Sequence, residues 1–324
     1  MNQIIVFSET GGPEVLRLER ADIGPPGPGQ ARVRHSAIGV NFIDTYQRSG
    51  LYPLPLPSGL GCEAAGVVEA VGAGVDGLKP GDRVAYAGGP LGAYASERLI
   101  AAEHLVKLPD GIADETAACA MLQGMTVEYL VQRTFPVRAG QTVLWHAAAG
   151  GVGQIALQWL AAMGVEVIAT VGSEAKAEIA RRLGAAHVIL YRDENVAERV
   201  REITGGTGVP VVFDSVGKDT FTASLDSLAP RGMLVSFGNA SGPVPALAPL
   251  ELTRRGSLFL TRPKLGDYIA SRAELEASAA ALFDRLRDGT IKLEPSHRYP
   301  LAEAAQAHRD LEARRTTGSV ILLP

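Results

Sequence analysis

The residues with the clearest chemical potential are small rather than reactive. Ala147-Ala148-Ala149-Gly150-Gly151-Val152-Gly153 follows a short apolar run, Val143 to His146, and leads at once into a stretch where Val152, Ile155, Trp159 and Ala162 recur at helical spacing. The context is strand, glycine turn, helix. Small side chains let the backbone approach a pyrophosphate, and the unpaired N–H groups and dipole at a helix start favour its charge. A strand-to-helix turn of some other α/β protein has the same form, and the spacing Ala147, Gly150, Gly153 departs from the strict fingerprint, which begins on glycine. The second strand narrows the choice. It ends in Ala169-Thr170-Val171-Gly172-Ser173 with no Asp or Glu to hold ribose hydroxyls; Ser173 and Lys176 follow, and Tyr191 ends the next strand. A lysine and a hydroxyl beside a ribose suit a 2′-phosphate, so the pattern favours NADPH over NADH. The plain alternative for Lys176 is a solvated helix residue.

Two textures of sequence must position these residues. Up to about Gly124 short β-prone runs (Ala31 to Ala37, Ala64 to Val71, Asp82 to Ala87, Leu91 to Leu99) alternate with turn residues, which predicts a barrel-like β domain. From Val143 onward strands alternate with helical patterns, the mark of a parallel sheet with crossover helices. The expected strands are Val143 to His146, Glu166 to Val171, His187 to Leu190, Pro210 to Asp214, Met233 to Phe237 and Ser257 to Thr261, enough for a complete doubly wound dinucleotide fold. Helical patterns at Arg272 to Asp288 and Ala302 to Ala313 and a terminal strand, Ser319 to Leu323, then return to complete the first domain. The fold class is α/β, with residues 1–124 completed by 264–324 as one domain and 125–263 as the other. At 324 residues, 46% hydrophobic and 20% charged, the chain has material for two cores, and its net charge of -4 lacks the footprint of a dedicated nucleic-acid or membrane-surface binder. No secretory signal or spanning segment is visible, so a cytoplasmic protein is expected.

Metal chemistry needs Cys or His at defined places. His35, His104, His146, His187, His297 and His308 are scattered, and the two cysteines, Cys62 and Cys119, are far apart. The medium-chain alcohol dehydrogenases share this order of domains. Gly39-Val40-Asn41-Phe42-Ile43-Asp44 resembles their segment for the first zinc ligand, with Asn41 in place of the cysteine. Gly61-Cys62-Glu63 resembles their Gly-His-Glu segment, with cysteine in place of the histidine. No metal is expected; a residual site using Cys62, or a zinc alcohol dehydrogenase, is the rival that metal analysis would test.

The chain as a whole resembles the zinc-free quinone oxidoreductase and zeta-crystallin branch of the medium-chain dehydrogenase/reductase superfamily. The resemblance is carried by Gly11-Gly12-Pro13-Glu14-Val15-Leu16, Gly39 to Tyr46, Gly50-Leu51-Tyr52-Pro53 and His146 to Gly153. Further matches are Phe213-Asp214-Ser215-Val216-Gly217, Val235 to Asn239, Thr261-Arg262-Pro263 and Thr317-Gly318-Ser319. It implies a GroES-like catalytic domain, a Rossmann domain, a homodimer formed through the nucleotide-domain sheets, and metal-free hydride transfer from NADPH to a quinone. By the same resemblance Gly150, Gly151, Val152 and Gly153 hold the pyrophosphate, and Gly172, Ser173, Lys176 and Tyr191 surround the adenosine phosphate, with Arg314 reaching it from the last helix. Ser215, Phe237, Gly238, Asn239, Pro263, Lys264 and Leu265 lie along the nicotinamide half. Asn41, Phe42, Asp44, Tyr46, Tyr52, Thr126 and Tyr129 line the substrate side, with Phe42, Asp44 and Tyr129 also counted as cofactor contacts. Asn41, Tyr46 and Tyr52 are the expected hydrogen-bond donors to the acceptor, with Thr126 holding the cofactor side. The alternatives are a double-bond reductase for enones or alkenals with the same cofactor, and a structural or RNA-binding role, which the net charge disfavours.

Overall fold

The computed structural model describes residues 2–324. By its internal contacts the chain divides into one unit of residues up to 125 with 268–324, and a second of residues 126–267. The first unit opens with β1 (Asn2–Phe7), β2 (Arg17–Ala21), β3 (Gln30–Val40), α1 (Phe42–Ser49), β4 (Ser58–Gly59), β5 (Glu63–Val71), β6 (Arg83–Ala87), β7 (Glu97–Ala101), β8 (Val106–Lys107) and most of α2 (Asp114–Tyr129), whose last four residues belong to the second unit. Most of these strands are short, as the frequent glycine and proline turns require. The expected strand from Leu91 begins only at Glu97. Before it, Gly92 is left-handed (φ +119°), and the backbone groups of Tyr94 bond to two separate strangers, Ile5 and Leu60, instead of one continuous ladder.

The second unit carries β9 (Thr142–Trp145), α3 (Gly151–Ala162), β10 (Glu166–Val171), α4 (Glu174–Arg182), β11 (His187–Leu190), α5 (Val196–Ile203), β12 (Val209–Asp214), α6 (Phe221–Asp226), β13 (Leu228–Ser236), α7 (Pro249–Arg254) and β14 (Phe259–Thr261). Its strands form one sheet in the order β11-β10-β9-β12-β13-β14. Every pairing is parallel, as crossover helices dictate, and the order is that of a complete doubly wound sheet. Val143, Leu144 and Trp145 are all buried, the continuous apolar run of a strand covered on both faces. On α3 the buried stripe is Gly153, Ile155, Ala156, Leu157, Trp159 and Leu160, whereas Ala162, expected on that stripe, is exposed.

A short helix, α8 (Leu265–Tyr268), precedes α9 (Arg272–Arg287), β15 (His297–Pro300), α10 (Ala304–Glu312) and β16 (Val320–Leu323). Ser271 caps α9: its hydroxyl accepts from Glu274 N–H (3.3 Å) while the Glu274 carboxylate accepts from Ser271 N–H (3.0 Å). The expected helix from Ala302 starts as a tighter turn, Leu301–Glu303, before α10 proper. β16 pairs antiparallel with β3, Val320 opposite Val40 and Ile321 opposite Gly39. The C-terminal segment therefore lies against the end of β3, where the chain enters Asn41. Leu301, Ala304, Ala307, Leu311, Val320 and Leu322 share one core with Ile5, Phe7, Val33, Leu60 and Tyr94.

Candidate functional site

In the second unit the glycine loop leaves the end of β9 through Ala147, which adopts the left-handed conformation (φ +52°) that glycine takes without cost. This is the position where the strict fingerprint carries glycine. Gly150 then caps α3 in an extended conformation with no side-chain cap, leaving the first N–H groups of the helix open to an anion. A Cβ on Gly153 would lie 2.5 Å from Ala148 O and 2.7 Å from Ala147 O, so the loop can fold this tightly only over a bare Cα. Such a cradle fits a dinucleotide pyrophosphate.

Behind the loop, buried His146 ties three strand ends together. Thr170 Oγ1 lies 2.8 Å from its Nδ1, Ser224 Oγ 3.0 Å from its Nε2, and Ser224 donates to Asp214 Oδ2 (2.7 Å). Asp214 Oδ1 accepts from the N–H groups of Val216 and Gly217, fixing the turn that contains Ser215. Burial lowers the His146 pKa. At the end of β10, Tyr191 lies across Gly172: a Cβ there would be 2.5 Å from the Tyr191 hydroxyl. Ser173 takes the N-cap position of α4 without a side-chain cap bond, and Lys176 sits half-buried in the first turn of that helix. Gly238 packs on the backbone of Ser215, its missing Cβ only 2.2 Å from Ser215 O. Arg262 bonds Gly238 O (2.8 Å) and Ser236 Oγ (3.2 Å), and the Asn239 amide accepts from its Nη2 (3.1 Å). The Phe237 ring lies 5.8 Å from that of Trp145. Pro263 is half-buried and Leu265 buried, while exposed Lys264 pairs with Asp267 (3.2 Å). Thr126 and Tyr129 stand three residues apart on α2, the first half-buried and the second 2% exposed.

In the first unit α1 brings three aromatic rings together. Phe42 and Tyr46 are 6.3 Å apart, Tyr46 and Tyr52 5.3 Å apart edge to face, and Tyr52 N–H donates to Tyr46 O. Asn41 begins the helix. Its side-chain amide is clamped, Nδ2 donating to Glu63 Oε2 (2.7 Å) and Oδ1 accepting from Gln123 Nε2 (3.1 Å). Asp44 departs from expectation. Instead of lining a ligand surface it is completely buried, its Oδ2 accepting from Asn41 N–H (2.8 Å) and the Tyr94 hydroxyl (2.9 Å). Its place in the first turn of α1 aims the carboxylate back at the helix start, where an exposed N–H and the dipole attract it. Behind Tyr94 the chain continues through His308 Nε2 (3.0 Å) and Nδ1 to Arg48 (3.1 Å), which pairs with Glu312 at the surface. Arg314, placed at the phosphate by resemblance, lies exposed beyond the end of α10 in a left-handed turn (φ +58°).

Burial dominates the electrostatics of this cluster. It pushes the Asp44 carboxyl up to about 7 and the Glu63 carboxyl up to about 8, against the hydrogen bonds they accept. It holds the His308 imidazole down at about 3, helped by the neighbouring Arg48 charge. The Cys62 thiol is pushed well up by burial and then by Asp44 and Glu63, away from the thiolate a metal needs. Among the described residues no three His, Cys, Asp or Glu side chains gather in a way that would hold a metal ion. With the Asn41 amide clamped and Cys62 kept as a thiol, a catalytic zinc does not fit these donors.

Several of these residues carry no signal on their own. Glu63 and Asp214 sit inside recognisable motifs, but as neighbours of the residues that attract notice. Tyr94, Gln123, His308 and Arg48 come from four distant places in the chain, and only folding brings them together.

Residues 27–110 match the family model of the alcohol dehydrogenase GroES-like domain, and residues 151–282 that of the zinc-binding dehydrogenases. The two matches define a two-domain dehydrogenase or reductase. Among individual proteins, a quinone oxidoreductase of Pseudomonas aeruginosa is 56% identical over 325 residues, covering 100% of both chains. The crystal structure of Escherichia coli quinone oxidoreductase complexed with NADPH is similar with a TM-score of 0.98 at 49% identity, over 99% of this chain and 100% of that one. A 2-haloacrylate reductase of a Burkholderia species is 48% identical over 327 residues, 98% of each chain. The chain belongs to the quinone oxidoreductase family of the medium-chain dehydrogenases/reductases.

Proposed function

We propose that the protein is an NADPH-dependent quinone oxidoreductase working without a metal. The observation that carries this reading is the end-to-end likeness to quinone oxidoreductases, one of them solved with NADPH. The bare-Cα cradle at Gly153 supports it locally. When bound, the reduced dinucleotide supplies the hydride. The chain's own residues bind, orient and stabilise charge. Gly150 closes the loop by donating its N–H to Ala147 O and caps the helix, and the N–H groups of Gly151, Val152 and Gly153 hold the pyrophosphate. Gly172, Ser173, Lys176 and Tyr191, with Arg314, hold the adenosine phosphate end, and Ser215, Phe237, Gly238, Asn239, Pro263, Lys264 and Leu265 flank the nicotinamide half. Tyr46, Tyr52 and Asn41 donate to acceptor oxygens gaining negative charge, while Phe42, Thr126 and Tyr129 pack the cofactor side. Asp44 acts one step back, fixing the backbone of Asn41.

The test is an acceptor panel run with NADPH and NADH. Quinones should be reduced, with NADPH the better donor; a protein that oxidises neither nucleotide with any quinone sinks the reading. A second reading, reduction of an activated carbon–carbon double bond, is favoured by the likeness to a 2-haloacrylate reductase. Faster NADPH oxidation with 2-haloacrylates or α,β-unsaturated ketones than with any quinone would select it.

We assign residues 1–124 with 264–324 as the catalytic domain and 125–263 as the cofactor domain. The protein is a homodimer in this reading, because the edge strand β14 exposes Phe259 (56%) and Leu260 (39%), an open ladder that a second copy would cover. Light scattering should give twice the chain mass, and Phe259→Lys should halve it. No helix among the described residues is long and apolar enough to cross a membrane, and we place the protein in the cytoplasm.

A further inference from the structure

The clamp on Asn41 has a direction. Glu63 Oε1 accepts from Leu122 N–H (2.7 Å) and Oε2 from Asn41 Nδ2 (2.7 Å), and an ionised carboxylate has no proton to give in return. Only the amino side of the Asn41 amide can therefore face it. That leaves Oδ1 toward Gln123, which must present Nε2; Gln123 Oε1 is then left to accept from the Ser319 hydroxyl (2.8 Å). All four side chains are buried, Glu63 and Ser319 completely. The carboxylate has room only because Gly39 has no side chain: a Cβ there would be 2.3 Å from Glu63 Oε2. The Ser319 hydroxyl, which also neighbours the Cys119 sulfur, can donate or accept, so the ionised Glu63 carboxylate is the member of the chain that imposes a direction.

We infer that Glu63 is a positioning residue: its carboxylate orients the chain Glu63–Asn41–Gln123–Ser319 so that Asn41 keeps its second N–H, not its carbonyl, for the reacting molecule. The inference rests on the proposed function, in which Asn41 donates to the acceptor. A proton on Glu63 reverses the whole chain. The protonated oxygen donates to Asn41 Oδ1, the Asn41 amino group turns to Gln123 Oε1, and Gln123 Nε2 donates to Ser319. Glu63→Gln imposes the same reversal at every pH, because Leu122 N–H keeps the amide oxygen and the new amino group faces Asn41. The groups that face the Glu63 carboxyl are Asp44 from α1, Cys62 from its own segment, Tyr86 from β6 and Cys119 from α2. Burial pushes the Glu63 carboxyl up to about 8, so the reversal falls within reach of an ordinary pH series.

The experiment measures kcat and KM for a quinone and for NADPH at about pH 6 and pH 9 in the full-length wild type, Glu63→Gln and Gln123→Met. Side-chain amide NMR signals of Asn41 and Gln123 are followed alongside. Glu63→Gln should lose about tenfold in quinone kcat/KM at the higher pH and less than about twofold at the lower, with KM for NADPH unmoved; tenfold is the weight of one hydrogen bond to developing charge. Gln123→Met removes a link but leaves the carboxylate facing Asn41, so any loss should be equal at the two pH values. The two amide signals should move together with pH in the wild type and stay fixed in Glu63→Gln. An equal loss for Glu63→Gln at both pH values, or amide signals indifferent to pH in the wild type, overturns the inference alone. A wild type inactive toward every quinone overturns the proposed function and this inference with it.

Discussion

The buried acids and histidines of the first unit should give it a stability that falls on both sides of a plateau in mildly acidic solution. Asp44 and Glu63 have ordinary values of 3.8 and 4.5 and folded values of about 7 and about 8. Over that interval the folded state keeps protons that the unfolded chain has lost, so each carboxyl removes stability as pH rises. His35 and His308 behave oppositely. Their ordinary value is 6.5 and their folded values are about 4 and about 3, so the unfolded chain takes protons the folded state refuses and stability drops as pH falls. Each unmatched proton is worth about 1.4 kcal/mol per pH unit. Between about pH 4.5 and 6.5 two carboxyls and two imidazoles oppose one another and the curve is flat. Above 6.5 the carboxyls act alone, Asp44 over about half a unit and Glu63 over about one and a half, for a loss on the order of 2–3 kcal/mol by pH 8.

The readout has to belong to the first unit. Trp145 and Trp159 both lie in the second, so their fluorescence serves as an internal control while amide exchange of β3 and β5, corrected for intrinsic rate, follows the first. Glu63→Gln should remove most of the alkaline loss and Asp44→Asn the remainder. Protection of β3 and β5 that holds or rises between pH 6.5 and 8 would refute the reasoning, because it would mean that both carboxyls are already ionised in the folded protein at neutral pH.

Three further outcomes follow from the second unit. Ala147→Gly should stabilise it by up to about 1 kcal/mol in a urea titration read by tryptophan fluorescence, since Ala147 is left-handed at φ +52° and glycine is not strained there. Gly153→Ala should weaken NADPH binding at least tenfold by calorimetry, because its Cβ would meet Ala148 O at 2.5 Å and force the loop open. Lys176→Ala should raise KM for NADPH while leaving KM for NADH within about twofold, if its ammonium answers the 2′-phosphate at a typical weight of about 1–2 kcal/mol.

Much of the frame was legible in the sequence for a simple reason. The second unit is built from local periodicities, and the strands Glu166–Val171 and His187–Leu190 begin and end where alternation and flanking turns place them. Strand order followed too, since right-handed crossovers leave few ways to assemble six parallel strands. Where pattern reading failed, the backbone was answering distant partners. Leu91 to Ser96 has the composition of a strand, but Gly92 and the bonds of Tyr94 to Ile5 and Leu60 break the ladder. Asp44 failed for a different reason. Its motif marks a place near the chemistry, yet whether a carboxylate points outward or back to a helix start depends on Tyr94, fifty residues away in sequence.

That dependence explains what the cluster around Asn41 achieves. Asp44, Cys62 and Glu63 are three acids within one buried region, and every hydrogen-bond partner of Asp44 and Glu63 is uncharged. Burial raises the pKa of all three, with Arg98 opposing it at Cys62: Cys62 stays a thiol, Asp44 ionises only near about pH 7, and Glu63 becomes the accepting carboxylate only as pH passes about 8. Arg48, the cation at the far end of the chain, spends its charge on Glu312 and keeps His308 neutral in passing. The Asn41 amide is thus surrounded by neutral groups at lower pH and backed by one carboxylate, that of Glu63, at higher pH. In the proposed function the Asn41 N–H, held toward the acceptor by that carboxylate, suits oxygens that gain charge only as hydride arrives. Because a single carboxylate sets the direction of the Asn41 amide, one proton on Glu63 is enough to turn that N–H away from the acceptor.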